Sequence, residues 1–112
     1  MNVREKNVGN TVVLELSGKI MGGPDASLLN DKLHELIDKG QTKIIADIGG
    51  VEWMNSSGLG ILISGLTTMR NNGGELKLAN VTERIQSLLM ITKLLTVFET
   101  YESVDQAIAS FK

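Results

Sequence analysis

Apolar residues at every second position divide the start of the chain into two predicted strands. A weak pattern over residues 3–8 and a stronger one over residues 11–17 each place apolar side chains on one face. Gly9 and Asn10 between them are typical turn residues. The pattern therefore predicts an antiparallel hairpin that ends at Gly18.

Apolar residues three and four positions apart predict four helices. The first two cover residues 24–39, with Pro24 at the first helical position, and residues 57–72. A third helix is predicted after Asn80, which pairs with Glu83 as a capping box, and a fourth after Ser103, which is followed by Gln106 in the same way.

Three more extended segments alternate with these helices. Residues 43–48 form a short buried strand that stops at the Gly49-Gly50 pair, and residues 75–79 form a strand with Lys77 pointing outward. Leu94, Val97 and Phe98 indicate a last short strand. The order β-β-α-β-α-β-α-β-α predicts one α/β domain over residues 1–112, with a mixed, mostly parallel sheet, right-handed crossovers and helices that cover the sheet.

Composition excludes several kinds of function. The chain has 112 residues, no cysteine, one histidine and a net charge of −2, so thiolate chemistry, cysteine-rich metal sites and a basic nucleic-acid surface are not expected. The N-terminus lacks the apolar core of a signal peptide, and the apolar run 59–66 is shorter than the roughly 20 residues that span a bilayer. We expect a soluble cytoplasmic protein without membrane insertion.

Candidate chemistry is concentrated in residues 47–60, where Asn55, Ser56 and Ser57 stand at the start of the second helix. These residue types cap helices, and a hydroxyl there faces free N–H groups and the positive end of the helix dipole. A phosphoryl group on that oxygen is therefore tolerated. The nucleophile-elbow and phosphate-loop motifs are absent, and His34 is expected on a polar helix surface, so the chain is predicted not to be an enzyme and to need no cofactor or metal.

Three glycines lie inside this predicted helix, and each should cost about 1 kcal/mol relative to alanine. For Gly58 and Gly60, close packing on the sheet and close approach of a partner remain equally good explanations. For Gly65, packing is favoured.

Residues 47–60 closely resemble the signature of STAS domains, the sulphate-transporter and anti-sigma-antagonist family. The positions in register are Asp47, Val51, Trp53, Met54, Ser56, Ser57, Gly58, Leu59 and Gly60. The resemblance implies a free-standing anti-sigma-factor antagonist that binds an anti-sigma serine kinase and so releases a sigma factor. It also implies that the kinase phosphorylates Ser56, next to Ser57, which abolishes binding, and that a PP2C-type phosphatase reverses this.

The resemblance also implies a partner-binding surface and exposes three departures from the family pattern. The surface comprises Met21, Gly22, Gly23, Asn55, Ser56, Ser57, Gly58, Leu59, Gly60 and Ile61. Asn55 replaces the usual aspartate, and residues 21–24 replace a segment that carries an acidic residue in many relatives. Lys93 stands where a glycine is common, and a left-handed backbone there would cost about 1 kcal/mol.

Two other functions remain possible from the sequence. The chain could be a STAS subunit of a stress-sensing or lipid-transport complex, with the serines as helix caps and no phosphorylation cycle, and Asn55 favours this alternative. It could also bind a nucleotide at the start of the second helix, although the lack of a basic residue in positions 44–69 argues against tight phosphate binding.

Overall fold

The computed structural model describes residues 1–93 and 98–111 and confirms the predicted order of elements. The strands and helices are β1 (Asn2–Val8), β2 (Thr11–Ile20), α1 (Pro24–Asp38), β3 (Lys43–Met54), α2 (Ser56–Asn71), β4 (Glu75–Ala79), α3 (Glu83–Ile91), β5 (Thr100–Tyr101) and α4 (Val104–Ser110). Leu94 and Val97 of the last predicted strand lie outside the described residues. Phe98 is buried but precedes β5.

The sheet is mixed and mostly parallel, as the alternation of elements predicts. Its strands follow the order β1-β2-β3-β4-β5. Among the strands of the described residues, only the β1–β2 pair is antiparallel, and β3, β4 and β5 each run parallel to the preceding strand. The chain thus begins with a hairpin, and a helix connects each later strand to the strand before it.

Two predicted strand ends are wrong, because β2 and β3 continue past their glycines. Strand β2 runs through Gly18 to Ile20, and β3 runs through the Gly49-Gly50 pair to Met54. The two extensions pair with each other, with register shifts that place Gly50 opposite Ser17 and Trp53 opposite Lys19. Glycine weakens a strand locally, but pairing with a neighbouring strand and a bulge preserve the ladder here.

One face of the sheet carries the main core. Helices α1, α2 and α3 cover this face with buried residues such as Leu33, Leu62 and Ile85, which pack with Leu14 and Ile44 of the strands. The short helix α3 ends next to Lys93, whose φ of 61° confirms a left-handed backbone at that non-glycine position.

The opposite face of the sheet is covered in part by α4. Ala107 packs there against Val13, Ile45 and Ala79. Lys77 was predicted to point outward, and it does lie on the face opposite to that of the main core, but its side chain is buried beneath α4. Its Nζ donates to Ser110 Oγ at 2.7 Å and pairs with Glu99.

Candidate functional site

The side chain of Asn55 caps helix α2. Its Oδ1 accepts a hydrogen bond from the backbone N–H of Gly58 at 2.7 Å, which satisfies one of the free donors at a helix start. Helix α2 therefore begins at Ser56, one residue earlier than predicted. Ser56 is the first helical residue and Asn55 is the cap, so the expectation that the serines serve as helix caps is wrong.

Ser56 and Ser57 are both exposed in the first turn of α2. Within residues 1–93 and 98–111, neither hydroxyl makes a hydrogen bond to another residue. The first turn contains no acidic residue, so nothing on the helix itself neutralises the positive end of its dipole. The local field therefore favours a negative group on either serine oxygen.

The loop between β2 and α1 packs against this first turn. Asn55 Nδ2 donates to the carbonyl oxygen of Met21 at 3.4 Å, and a Cβ on Gly22 would lie 3.3 Å from Ser57 Cβ. Asp25 accepts from the Met21 N–H at 3.3 Å, and Gly22 has a φ of 105°. Residues 34 positions apart in sequence are thus neighbours at the start of α2.

The other predicted partner-binding residues lie at different depths. Leu59 and Ile61 are buried in the main core and Gly58 is buried beneath the first turn, whereas Gly60 is exposed. The surface near Ser56 is therefore made by Met21, Gly22, Gly23, Asn55, Ser57 and Gly60. The buried residues Gly58, Leu59 and Ile61 pack beneath it and support its position.

The three glycines of α2 have different physical reasons. A Cβ on Gly58 would overlap the carbonyl oxygen of Ile20, so close packing explains this glycine. On Gly65 it would approach Leu33 Cδ1 to 3.0 Å, which confirms packing there as well. On Gly60 it would meet no heavy atom within 4 Å among the described residues, so packing within the chain does not explain Gly60.

A second polar cluster ties the family motif to the turn after β4. Asp47 Oδ1 accepts from the backbone N–H of Gly49 at 3.0 Å and from Asn80 Nδ2 at 2.9 Å. Asn80 is left-handed, with a φ of 56°, and so does not cap α3 as predicted. Thr82 does, through a hydrogen bond from the N–H of Ile85. Both residue types cap helices, and Thr82 is the cap because it directly precedes Glu83, the first residue of α3.

The described residues contain no group of three or more histidine, cysteine, aspartate or glutamate side chains that could hold a metal ion. His34 is exposed on α1. None of the helices described is both long enough and apolar enough to cross a bilayer.

Comparison with known proteins identifies the fold and the family. The STAS domain profile matches residues 2–107. The anti-sigma-B factor antagonist of Bacillus subtilis is 31% identical over 99 residues, which cover 88% of this chain and 89% of that protein. Proteins of this kind are regulatory binding proteins and not enzymes.

Two solved structures share the fold at lower identity. The crystal structure of tm1081 from Thermotoga maritima superposes with a TM-score of 0.85 and 24% identity, covering 96% of this chain and 92% of that one. The Bacillus cell fate determinant SpoIIAA in its phosphorylated form gives a TM-score of 0.75 and 20% identity, covering 99% of this chain and 100% of that one. These two structures show the fold, while the domain profile over residues 2–107 and the Bacillus subtilis relative show that the chain belongs to the STAS domain family, whose members similar to it include anti-sigma factor antagonists.

Proposed function

We propose that this protein is an anti-sigma-factor antagonist in a partner-switching pathway. The unphosphorylated form binds an anti-sigma serine kinase and releases its sigma factor, phosphorylation of Ser56 ends that binding, and a PP2C-type phosphatase restores it. One observation supports this most strongly: the Ser56 hydroxyl is exposed on the first helical residue of α2 and bonds to none of the described residues.

The position of Ser56 separates the effect of phosphate on folding from its effect on binding. A phosphate adds a charge of about −1.5 to −2, which the free N–H groups and dipole at a helix start accommodate. At a protein interface the same charge adds desolvation and repulsion. A cost of about 3 kcal/mol there weakens binding more than a hundredfold.

The exposed residues around Ser56 support a partner that approaches closely. Gly23 and Gly60 are exposed and carry no side chain, and Met21 offers an apolar side chain that is 47% exposed. Because packing within the described chain does not require Gly60 to lack a side chain, an approaching partner provides the reason for it.

Incubation with the anti-sigma kinase of the same genome and ATP, followed by mass spectrometry, tests the phosphorylation site. We expect one phosphate on the wild type, none on Ser56→Ala, and one on the matched control Ser57→Ala. The proposed site is wrong if Ser56→Ala is still fully phosphorylated or if the wild type takes up no phosphate.

Calorimetry with the same kinase tests the switch. We expect Ser56→Asp to bind at least a hundredfold more weakly than the wild type while its melting temperature stays within a few degrees. Equal affinity of the two forms would contradict the switch.

The neutral cap Asn55 favours the alternative of a permanent subunit, and co-purification of a scaffold or transporter in place of a kinase from the source cells would decide for that alternative.

A further inference from the structure

Trp53 is the single tryptophan of the chain, and it lies largely outside the core. Its side chain is 39% exposed in the second half of β3, two residues before the cap Asn55. It pairs laterally with Lys19 on β2 and belongs to neither described apolar cluster. A tryptophan carries more apolar surface than most side chains, so its exposure leaves a substantial area available for burial.

Trp53 forms part of a groove of about 430 Å³, called here the Trp53 groove, which is lined by Lys19, Met21, Glu52, Trp53 and Arg84. Arg84 Nη1 donates to the carbonyl oxygen of Glu52 at 3.3 Å, which places the Arg84 side chain of α3 beside the end of β3. The groove carries two cations and one carboxylate, whereas the whole chain has a net charge of −2. It is therefore a locally basic, partly apolar depression on an acidic protein.

We propose that the Trp53 groove binds a segment of the partner protein that presents one large apolar side chain next to a carboxylate. The apolar group would cover Trp53 and Met21, and the carboxylate would face Lys19 and Arg84. This inference rests on the proposed function, because Met21 belongs both to this groove and to the surface around Ser56.

The exposure of its lining residues distinguishes this groove from a small-molecule site. Pockets for small ligands enclose most of the ligand surface, but all five lining side chains here remain exposed. Exposed tryptophan and arginine are typical of protein interfaces, where they supply much of the binding energy. The continuity with the surface around Ser56 places the groove within reach of the same partner.

Fluorine NMR of the chain labelled with 5-fluorotryptophan tests the inference directly, because one tryptophan gives one resonance. The probe is the unlabelled anti-sigma kinase of the same genome. We expect the resonance to move on titration and to lose most of its H₂O/D₂O solvent shift at saturation. A resonance that stays unchanged while calorimetry shows binding would overturn the inference.

Variants extend the test to affinity. We expect Trp53→Ala, and separately the double variant Lys19→Glu with Arg84→Glu, to bind the kinase at least tenfold more weakly, and Trp53→Phe to recover most of the loss. The matched controls are Leu28→Ala, whose side chain is 44% exposed on α1, and Lys6→Glu on β1, and both should bind within twofold of the wild type. The charge variants alter exposed residues, so they keep the test valid if Trp53→Ala does not fold.

The outcomes separate this inference from the proposed function. If the wild type binds, Ser56→Asp does not, and the groove variants bind like the wild type, the inference is wrong and the switch stands. If the wild type does not bind the kinase, the proposed function and the inference both fall. A fluorine shift caused only by the low-mass fraction of a cell extract would assign the groove to a small molecule and also overturn the inference.

Discussion

Gly58 and Gly60 lie two positions apart in the first turns of α2 and predict opposite effects of the same substitution. A Cβ on Gly58 would overlap the backbone of β2, which cannot move without disturbing the sheet. We expect Gly58→Ala to lower the free energy of unfolding by at least about 2 kcal/mol. Gly60 faces open space, so Gly60→Ala should raise it by about 0.5 to 1 kcal/mol through higher helix propensity.

Urea denaturation of both variants beside the wild type checks this pair. Each variant serves as the control for the other, because both replace glycine with alanine in the same helix. Equal effects of the two substitutions would contradict the assignment of Gly58 to packing and Gly60 to surface.

At this scale, the sequence predicted the capped start of α2 but not which residue is the cap. The spacing of Asn55 and the serines predicts a capped helix start, which the structure confirms, yet three adjacent polar residues are all acceptable caps. Only the backbone position of Asn55 relative to the Gly58 N–H selects it. The two glycines were likewise indistinguishable, because the decisive contact comes from Ile20, which is distant in sequence.

Between elements, an ion pair joins strand β1 to helix α1. Lys32 Nζ lies 2.6 Å from Glu5 Oε1, and the two side chains are 24% and 22% exposed. The bond to Lys32 lowers the pKa of Glu5 below its ordinary value of 4.5, and the bond to Glu5 raises the pKa of Lys32 above 10.5. The pair therefore stabilises the fold fully at pH values between 4.5 and 10.5.

Replacing Glu5 with glutamine tests this contact through its pH dependence. We expect Glu5→Gln to lower the free energy of unfolding at pH 7 by about 0.5 kcal/mol, as is usual for partly exposed pairs. Since the folded pKa of Glu5 is lowered, its contribution is complete above pH 4.5 and disappears as the pH falls through the folded pKa. Glu102→Gln, at an exposed position, is the control.

Urea denaturation from pH 3 to pH 8 measures the difference between wild type and variant. The assignment is wrong if the deficit of Glu5→Gln is the same at pH 3 as at pH 7.

The order and type of elements followed from periodicity alone, because each long helix and strand buries one face. The ends of the strands did not follow from periodicity, since a pair of glycines such as Gly49-Gly50 usually interrupts a strand. They are retained in β3 because the end of β2, more than 30 residues earlier, supplies a pairing partner. Pairing between distant segments is the information that a local pattern lacks.

For the whole molecule, α4 is held to the second face of the sheet around one buried lysine. Lys77 Nζ lies 4.2 Å from the centre of the Phe111 ring and 3.0 Å from Glu99 Oε2, while its stem packs beneath α4. Alternation along β4 placed this residue on the second face correctly. Its burial was missed because it depends on the last helix folding back over the sheet.

Substitutions of Lys77 separate the effect of its charge from that of its volume. We expect Lys77→Met to change the free energy of unfolding by no more than about 1 kcal/mol, because a hydrophobic residue often replaces a buried ion pair without loss. Lys77→Ala leaves a cavity and should cost about 2 to 4 kcal/mol. In Lys77→Ala, amide hydrogen exchange should accelerate most in α4.

Urea denaturation and amide exchange measured by NMR provide the two readouts. Equal losses for the methionine and alanine variants would show that the ammonium contacts, and not the packed stem, hold α4.

The hydrogen bond between Asn55 and Met21, and the lack of room for a side chain between Gly22 and Ser57, have a practical consequence for protein engineering. The proposed partner-binding surface is formed by two segments that are distant in sequence and close in space, residues 21–23 and residues 55–60. A chimera that receives only residues 55–60 from another STAS domain would pack that segment against a loop that differs from its own. Exchanging partner specificity between such proteins therefore requires that both segments be replaced together.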